Sequence, residues 1–376
     1  MWNRGGRKSM RGRPNLYTDY QKESSIFSNK TQKSWFGLLI SLAIGLCFLA
    51  TDYWLLLITT SCLIAIASWG LNIVSGLAGQ INLAHGVFIG VGTYASAVIG
   101  GVATSSVIGY NLDMIFWLPV AGLASAVVGL IIAPITVKLK GLNLALVTLA
   151  LVFIGSHLFS NFKSMTGGAG LGRKVATLKL FGIDLENGLQ VGSYYLQREQ
   201  ILYLFSLLIC VLAGLGVKNL VRSRAGRAYS AIRDGDIAAE ALGINLFRYK
   251  ASAFALSSFY GGISGALFFT VSGGVEPGSF NLVYSITFVA IVVIGGAGTV
   301  LGPLFGAFFY TLFPAVIQLF LHTFDIGEQS LPLNLGQLER LLFGLVIILF
   351  LMFEPRGLWG IWFRLRNYFK AWPFSY

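Results

Sequence analysis

Long apolar runs separated by polar connections dominate the pattern of this chain. Each run is long enough, or nearly so, to cross the roughly 30 Å hydrocarbon core of a bilayer as an α-helix rising about 1.5 Å per residue. The pattern predicts an all-α, polytopic membrane helix bundle of about ten spans, with a bend in the ninth at Pro303 and Pro314. The runs are Trp35–Ala50, Trp54–Val74, Ala84–Val102, Met114–Val137, Leu142–Phe159, Ile201–Leu220, Ala251–Val271, Val283–Ile294, Leu301–Leu321 and Leu338–Phe353.

Composition favours a membrane protein over a soluble one. The 376 residues are 55% hydrophobic and only 11% charged, whereas a soluble domain carries roughly 25% charged residues. A formal net charge of +12 could indicate nucleic-acid binding. The basic residues lie between apolar runs without an aromatic-interleaved surface, so no nucleic-acid partner is expected.

The distribution of basic residues predicts the orientation. If the N-terminus is cytoplasmic and the spans alternate, the cytoplasmic segments contain 21 of the 27 Lys and Arg residues, in accord with the positive-inside rule. Both termini are then cytoplasmic: residues 1–33 form a basic tail expected to be disordered, residues 34–356 the transmembrane domain, and residues 357–376 a C-terminal tail. Loop 160–200 carries five basic residues, but long loops follow the rule less strictly, so it is placed outside.

Two glycine-rich stretches interrupt the apolar pattern, one at Gly76–Gly79 and one from Gly295 to Pro303. Irregular backbone at membrane depth is tolerated where protein or a water-filled cavity covers it, so such breaks point to a transport pathway. Polar side chains near the first break and on the fifth span either line that pathway or only join helices by hydrogen bonds. These candidates are Asn72, Gln80, Asn82, His85, Asn143 and Thr148.

The segment from Arg222 to Lys250 is long and charged, yet has the pattern of folded structure. Gly235 separates two short helical pieces; Asp236 is expected to cap the second and Gly243 to end it. In that piece Asp236 and Glu240 are expected to face away from an apolar stripe. Such a helix either rests on lipid headgroups or docks into a soluble partner and transmits its motion. The stripe consists of Ile237, Ala238, Ala241 and Leu242.

Five stretches carry a family resemblance, in order from about Gly70 to Ile361. They read SGLAGQINLAHGVFIGVGTYASA, TGGAGL, RSRAGRAYSAIRDGDIAAEALGINLFRYK, VIGGAGTVLGPLFGA and FEPRGLWGI. Together they resemble the permease subunits of ATP-driven (ABC) importers of the branched-chain amino-acid type, the LivM-like half of that family. Asn82 and Ala84 stand where the family usually has Ser and Gly, and the TGGAGL loop is one residue shorter than usual. These departures concern the pathway and the outer loop, so they bear on substrate identity.

The resemblance implies a non-catalytic subunit in a bacterial cytoplasmic membrane. Its expected partners are a second homologous permease, two cytoplasmic ATPases and an extracytoplasmic substrate-binding protein, with no cofactor. The chain lacks a GxxxxGK[ST] phosphate-binding loop, in agreement with ATP hydrolysis elsewhere. The 222–250 segment would contact the ATPase, although any one of its charges could be an idle solvated side chain. The residues expected at that contact are Arg227, Arg233, Asp234, Asp236, Glu240 and Gly243.

Cargo and energy source are the open points. Neutral or branched-chain amino acids are the expected cargo, with urea and related amides as the alternative. An ion-coupled secondary transporter is the main rival class. Glu276, Glu339 and Glu354 lie near span edges rather than mid-membrane, which weighs against proton coupling but leaves sodium coupling open. The three cysteines and three histidines show no metal-ligand spacing, so no metal site is expected.

Overall fold

The computed structural model describes residues 30–139, 141–170, 172–191, 194–323, 335–354 and 356–371. Those residues form an all-α bundle, which confirms the predicted class. Its helices are α1 (Lys30–Leu49), α2 (Asp52–Leu71), α3 (His85–Gly100), α4 (Met114–Lys138), α5 (Leu142–Asn161), α6 (Lys163–Thr166), α7 (Arg198–Arg222), α8 (Arg224–Asp234), α9 (Asp236–Ala241), α10 (Leu246–Ser272), α11 (Leu282–Gly295), α12 (Gly302–Thr323), α13 (Leu335–Phe353) and α14 (Gly357–Ala371).

Each of the ten predicted apolar runs coincides with one helix. Within the described residues, seven helices are long and apolar enough to cross a membrane: α1, α2, α4, α5, α7, α10 and α12. Helices α3 and α11 are shorter, at 16 and 14 residues. Helix α1 begins at Lys30, inside the tail predicted for residues 1–33, and the rest of that tail lies outside the described residues.

One local prediction is corrected, and two predicted segments contain further helical structure. Pro303 is the second residue of α12, where its missing N–H has no helical partner to lose, so of the two prolines only Pro314 is interior. The predicted C-terminal tail contains helix α14. The 222–250 segment runs into α10, which begins at Leu246 because the Asn245 side chain accepts a hydrogen bond from the Arg248 N–H at 3.0 Å.

Helix α10 lies at the centre of the bundle, against α2, α3 and α4. The hydrophobic effect does not drive helices together in lipid, so their association depends on close packing, which small residues allow. A Cβ on Gly262 would lie 2.5 Å from the Ala121 carbonyl oxygen of α4. Hydroxyls add cross-helix bonds: Ser264 donates to the Leu63 carbonyl of α2 at 2.6 Å, and Ser125 donates to the Phe88 carbonyl of α3 at 2.8 Å.

Short antiparallel ribbons occur in the connections, an element that the helical prediction lacks. Strand β1 (Arg173–Lys174) pairs with β6 (Gly274–Val275), in register Arg173 with Val275. This pairing joins loop 160–200 to the connection that follows α10. The other two pairs are β2 (Lys179–Leu180) with β3 (Ile183–Asp184), and β4 (Leu189–Val191) with β5 (Tyr194–Leu196).

Arg173 fixes this end of the bundle, called here the ribbon end. Its guanidinium donates to the carbonyl oxygens of Ala97 and Ile108, at 2.5 and 3.0 Å, and to that of Met165 at 2.6 Å. Burial lowers the pKa of this guanidinium from its ordinary value. The α3–α4 connection, loop 160–200 and the α10–α11 connection therefore share one end of the molecule.

Candidate functional site

The two glycine-rich breaks meet at the opposite end, called here the break end. After α2 the backbone widens into a π-helix, Asn72–Leu77, and continues without regular structure to α3. The second break is the connection between α11 and α12, residues 296–301. π-Helical turns often mark functional sites, and this one was missed because no sequence periodicity distinguishes a single widened turn.

Asn72 joins the two breaks. Its side-chain amide donates to the Thr299 carbonyl oxygen at 2.8 Å, and its oxygen accepts from the Gly298 N–H at 2.8 Å. The Trp69 indole donates to the Val300 carbonyl oxygen at 2.6 Å, one turn earlier. Asn72 is completely buried. Its amide oxygen and nitrogen both serve this connection, which favours the helix-joining alternative over a pathway-lining role for this residue.

Arg233 brings the 222–250 segment into the same place. Its guanidinium Nη1 donates to the Gly76 carbonyl oxygen of the first break at 3.1 Å. A Cβ on Gly298 of the second break would lie 2.9 Å from that nitrogen. Gly79 has φ +66°, and a Cβ there would lie 2.7 Å from Arg233 Cγ, so glycine suits both the backbone and the space. One arginine thus touches both breaks.

The 222–250 segment is anchored to α10 by two buried contacts. Tyr229 of α8 is fully buried and shares a 2.8 Å hydrogen bond with the Ser252 hydroxyl; burial raises the pKa of this phenol, which stays protonated. Lys250 Nζ lies 2.8 Å from Asp236 Oδ2, with side chains only 3% and 15% exposed. Segment and α10 are therefore fastened as one unit.

The predicted capping role of Asp236 is wrong. Gly235, rather than Asp236, precedes α9 as its N-cap, and the Asp236 carboxylate is ion-paired with Lys250. Gly243 follows α9 in a left-handed conformation, φ +82°, as predicted for the residue that ends this helix.

The outward face of α9 is apolar. Ile237 and Leu242 are 80% and 81% exposed, while Ala239 is buried on the inward face. The predicted stripe of Ile237, Ala238, Ala241 and Leu242, called here the α9 ridge, is exposed along its whole length. Glu240 is also exposed.

The remaining predicted contact residues are exposed as well. Asp234 is 73% exposed and 3.4 Å from the Arg233 Nε. Arg227 is exposed and donates to the Arg222 carbonyl oxygen at 3.0 Å. The structure thus places Arg227, Asp234 and Glu240 at the surface. Arg233 is also 43% exposed although it contacts both breaks, and only Asp236 is largely buried, at 15% exposed.

Four of the candidate pathway residues besides Asn72 gather after the first break. Gln80 and Asn82 are 5% and 1% exposed, and His85 is completely buried. His85 Nε2 lies 2.8 Å from the Ala67 carbonyl oxygen, which can only accept, so Nε2 carries a hydrogen. Thr148 of α5 accepts from the Leu83 N–H at 3.1 Å. Asn143 is exposed and lies outside this cluster, contrary to the expectation that it faces inward.

Several polar atoms in this cluster have no hydrogen-bond partner among the described residues. They are both side-chain amide atoms of Gln80, the Asn82 Nδ2 and the His85 Nδ1. A buried amide without a partner costs roughly 1–3 kcal/mol. Such atoms are suited to water or a polar cargo, which is the property expected of a pathway wall.

A cavity of about 650 Å³ opens beside the first break. It is bordered by Gly79 and Gln80, by Leu144 of α5, and by Arg233 and the Asp236–Lys250 pair of the 222–250 segment. Three residues of the α9 ridge also line it: Ile237, Ala238 and Ala241. The cavity therefore has one wall in the membrane bundle and the other in the segment attached to α10.

Aromatic rings fill the bundle between the cluster and the ribbon end. His85 contacts Phe288 with ring centroids 5.6 Å apart, and Phe288 contacts Tyr284 at 5.1 Å. The column continues through Phe280, which is completely buried against three further rings. Sequence analysis missed this column because its members come from separate helices. These further rings are Tyr94, Phe159 and Phe269.

Membrane-length helices, two covered backbone breaks and a cavity beside the first of them define a multi-pass membrane protein of the transport-permease class. A sequence profile of the family described as "Branched-chain amino acid transport system / permease component" matches residues 53–351. The chain belongs to that family.

Individual relatives agree with this assignment. The high-affinity branched-chain amino acid permease LivM of Salmonella typhimurium is 29% identical over 343 residues, covering 88% of this chain and 76% of the relative. LivH of Escherichia coli is 28% identical over 274 residues, 70% of this chain and 84% of the relative. The autoinducer 2 import permease LsrC of Enterobacter sp. is 26% identical over 252 residues, 65% and 67% of the two chains. No solved structure matches the chain.

Proposed function

We propose that this chain is the non-catalytic permease subunit of an ABC importer that moves neutral or branched-chain amino acids across a bacterial cytoplasmic membrane. The carrying observation is the 222–250 segment: it bears the exposed α9 ridge and also touches both backbone breaks through Arg233. Such a segment can receive motion at the ridge and deliver it to the pathway.

The proposed assembly contains a second homologous permease, two cytoplasmic ATPases and an extracytoplasmic substrate-binding protein. The names of the relatives LivM and LivH support paired permeases in one transport system. The break end, with the 222–250 segment, faces the cytoplasm, and the ribbon end faces outward. The ATPases bind the α9 ridge beside Arg227, Asp234 and Glu240, whose charges lie at its edge.

In this scheme ATP binding brings the ATPases together and moves α9. The Asp236–Lys250 and Tyr229–Ser252 contacts pass that movement to α10, and Arg233 passes it to the breaks. Cargo crosses past Gln80, Asn82 and His85 into the cavity beside the first break. The aromatic column closes the route toward the ribbon end in the described conformation.

The test is co-purification from the native membrane, in mild detergent, of wild type and Leu242→Asp. An aspartate on the ridge should abolish recovery of the ATPase, because a charge would be buried in an apolar contact. The matched control is Ile183→Asp, the same change at an exposed residue of the ribbon end. If the ATPase is recovered equally with all three chains, the ridge is not its docking surface.

Absence of any ATPase from the wild-type preparation, after crosslinking in the membrane as well, would favour an ion-coupled carrier. Cargo is tested separately by uptake of radiolabelled leucine and of radiolabelled urea into cells that express the complete system. Saturable uptake of urea but not leucine would replace the amino-acid assignment with the amide one.

A further inference from the structure

A second cavity, of about 370 Å³, lies between the second break and α14. Its charged lining residues are Arg233 and Arg356, and its aromatic ones are Trp359 and Phe363. The neighbouring Glu354 is ion-paired with Arg364. Asp234 is ion-paired with Arg233 at 3.4 Å, but the two side chains are 73% and 43% exposed, so solvent screens this pair. The cavity is therefore cationic and partly aromatic.

The first turns of helix α14 pack closely against the bundle. Gly357 packs so closely that a Cβ would lie 2.4 Å from the Ile294 carbonyl oxygen of α11, and Trp362 contacts Phe305 of α12. Residues 361–368 are exposed, and they combine large apolar side chains with arginines. These exposed residues include Ile361, Trp362, Phe363, Arg364, Leu365 and Arg366.

The position of α14 places this surface at the edge of a membrane. It directly follows α13, a 19-residue helix that ends at Phe353, and it packs on the ends of α11 and α12. Tryptophan, tyrosine and arginine on an amphipathic helix at that depth are typical of contact with the headgroup region.

We propose that the Arg233–Arg356 cavity binds the phosphodiester headgroup of an anionic phospholipid, whose acyl chains lie along the apolar residues of α14. A phosphodiester matches the arginine forks, and acyl chains would cover the exposed apolar face. Inorganic phosphate or an acidic loop would satisfy the arginines but leave that face in water. The proposal depends on the chain spanning a membrane, and it is independent of the ATPase partners and of the cargo.

Headgroup binding has a consequence for the breaks. Arg233 lines this cavity and also donates to the Gly76 carbonyl oxygen. A bound phosphodiester therefore holds the guanidinium between the two breaks, and the lipid becomes part of the contact that fixes them.

The test uses the full chain equilibrated in mixed micelles with equal amounts of palmitoyl-oleoyl phosphatidylglycerol and phosphatidylcholine, followed by native mass spectrometry of retained lipid. Wild type should retain phosphatidylglycerol selectively. Arg356→Gln should lower that retention about fivefold, the effect of about one basic residue at a membrane surface. Arg356→Lys should keep most of it. Arg224→Gln, which removes an exposed arginine of α8 outside the cavity, should leave it unchanged.

Equal losses in Arg356→Gln and Arg224→Gln would show diffuse surface charge and overturn the cavity. No selectivity in wild type would overturn it as well. Displacement of phosphatidylglycerol by 10-fold excess inorganic phosphate would assign the site to a soluble anion instead. If Arg356→Gln does not give monodisperse protein, wild type and Arg356→Lys are compared instead. Selective retention of phosphatidylglycerol by both supports the proposal. Its absence from wild type overturns the proposal.

Discussion

The Lys250 and Asp236 side chains show how a single pair can matter more than a row of surface charges. Lys250 is 3% exposed and Asp236 15%, so the pair is screened far less than an exposed ion pair, which is worth about 0–1 kcal/mol. Burial also makes the pair costly to break, because each charge depends on the other for compensation. At the residue scale this pair, rather than any surface charge, decides whether α9 keeps its place on α10.

Replacing Lys250 by Met should therefore destabilise the protein. An uncompensated Asp236 carboxylate costs about 3 kcal/mol when its partner is removed. The double variant Lys250→Met with Asp236→Leu should recover most of that loss, since an apolar pair needs no compensation. Thermal unfolding of the purified chain in detergent measures both. A double variant no more stable than Lys250→Met would contradict the pairing.

Helix α8 and the two breaks act together at the scale of elements. Arg233 is the only α8 residue that the structure, within its described residues, shows hydrogen-bonded to the first break, and Asn72 fastens that break to the second. The elements are thus linked in series: Arg233 connects the 222–250 segment to the first break, and Asn72 connects the first break to the second. Each link can be removed separately, which makes the proposed route of motion testable.

Arg233→Gln should uncouple the segment without releasing the ATPase. The charge-assisted bond to the Gly76 carbonyl is worth about 1.5 kcal/mol or more, or about tenfold in a coupled equilibrium. Stimulation of ATPase activity by cargo-loaded binding protein should fall by about that factor in the reconstituted complex. Unstimulated activity and co-purification should stay near wild type. Loss of the ATPase itself from the complex would mean that Arg233 contacts the partner instead.

Asn72→Ala should loosen the connection between the breaks. It leaves the Gly298 N–H and the Thr299 carbonyl without their buried partner, at about 1–3 kcal/mol each. We expect a lower unfolding temperature together with reduced transport. The control is Asn161→Ala, whose exposed side chain donates only to His157 of its own helix, and which should change stability by less than about 0.5 kcal/mol. Equal effects in the two variants would argue against a special role for Asn72.

At the scale of the whole molecule, the sequence predicts the secondary-structure elements better than the tertiary contacts between them. The apolar runs predict the ten helices that coincide with them, and seven helices of the described residues reach the length and apolar character that a bilayer demands. Gly235 and Gly243 mark the ends of the short helices. The Asn72–Thr299 bond joins residues 227 positions apart. No local sequence pattern predicts such a contact. Nor does one predict that Asp236 pairs with Lys250, which lies beyond the end of α9 at Gly243. These are the features that assemble the site.

The two ends of the molecule give a direct test of its orientation. The ribbon end and the break end should lie on opposite sides of the membrane, with the α9 ridge in the cytoplasm. All three native cysteines are buried, so replacing them by alanine gives a background in which Ile183→Cys and Leu242→Cys report one end each; both positions are exposed.

A membrane-impermeant maleimide should label Ile183→Cys in intact spheroplasts and Leu242→Cys only after permeabilisation. The physical reason is the excess of basic residues at the break end, which resists translocation. The reverse pattern would invert the orientation and place the ridge out of reach of any cytoplasmic ATPase. Labelling of both positions in intact spheroplasts would mean that the two ends are not separated by the bilayer, and the arrangement of spans would then be wrong.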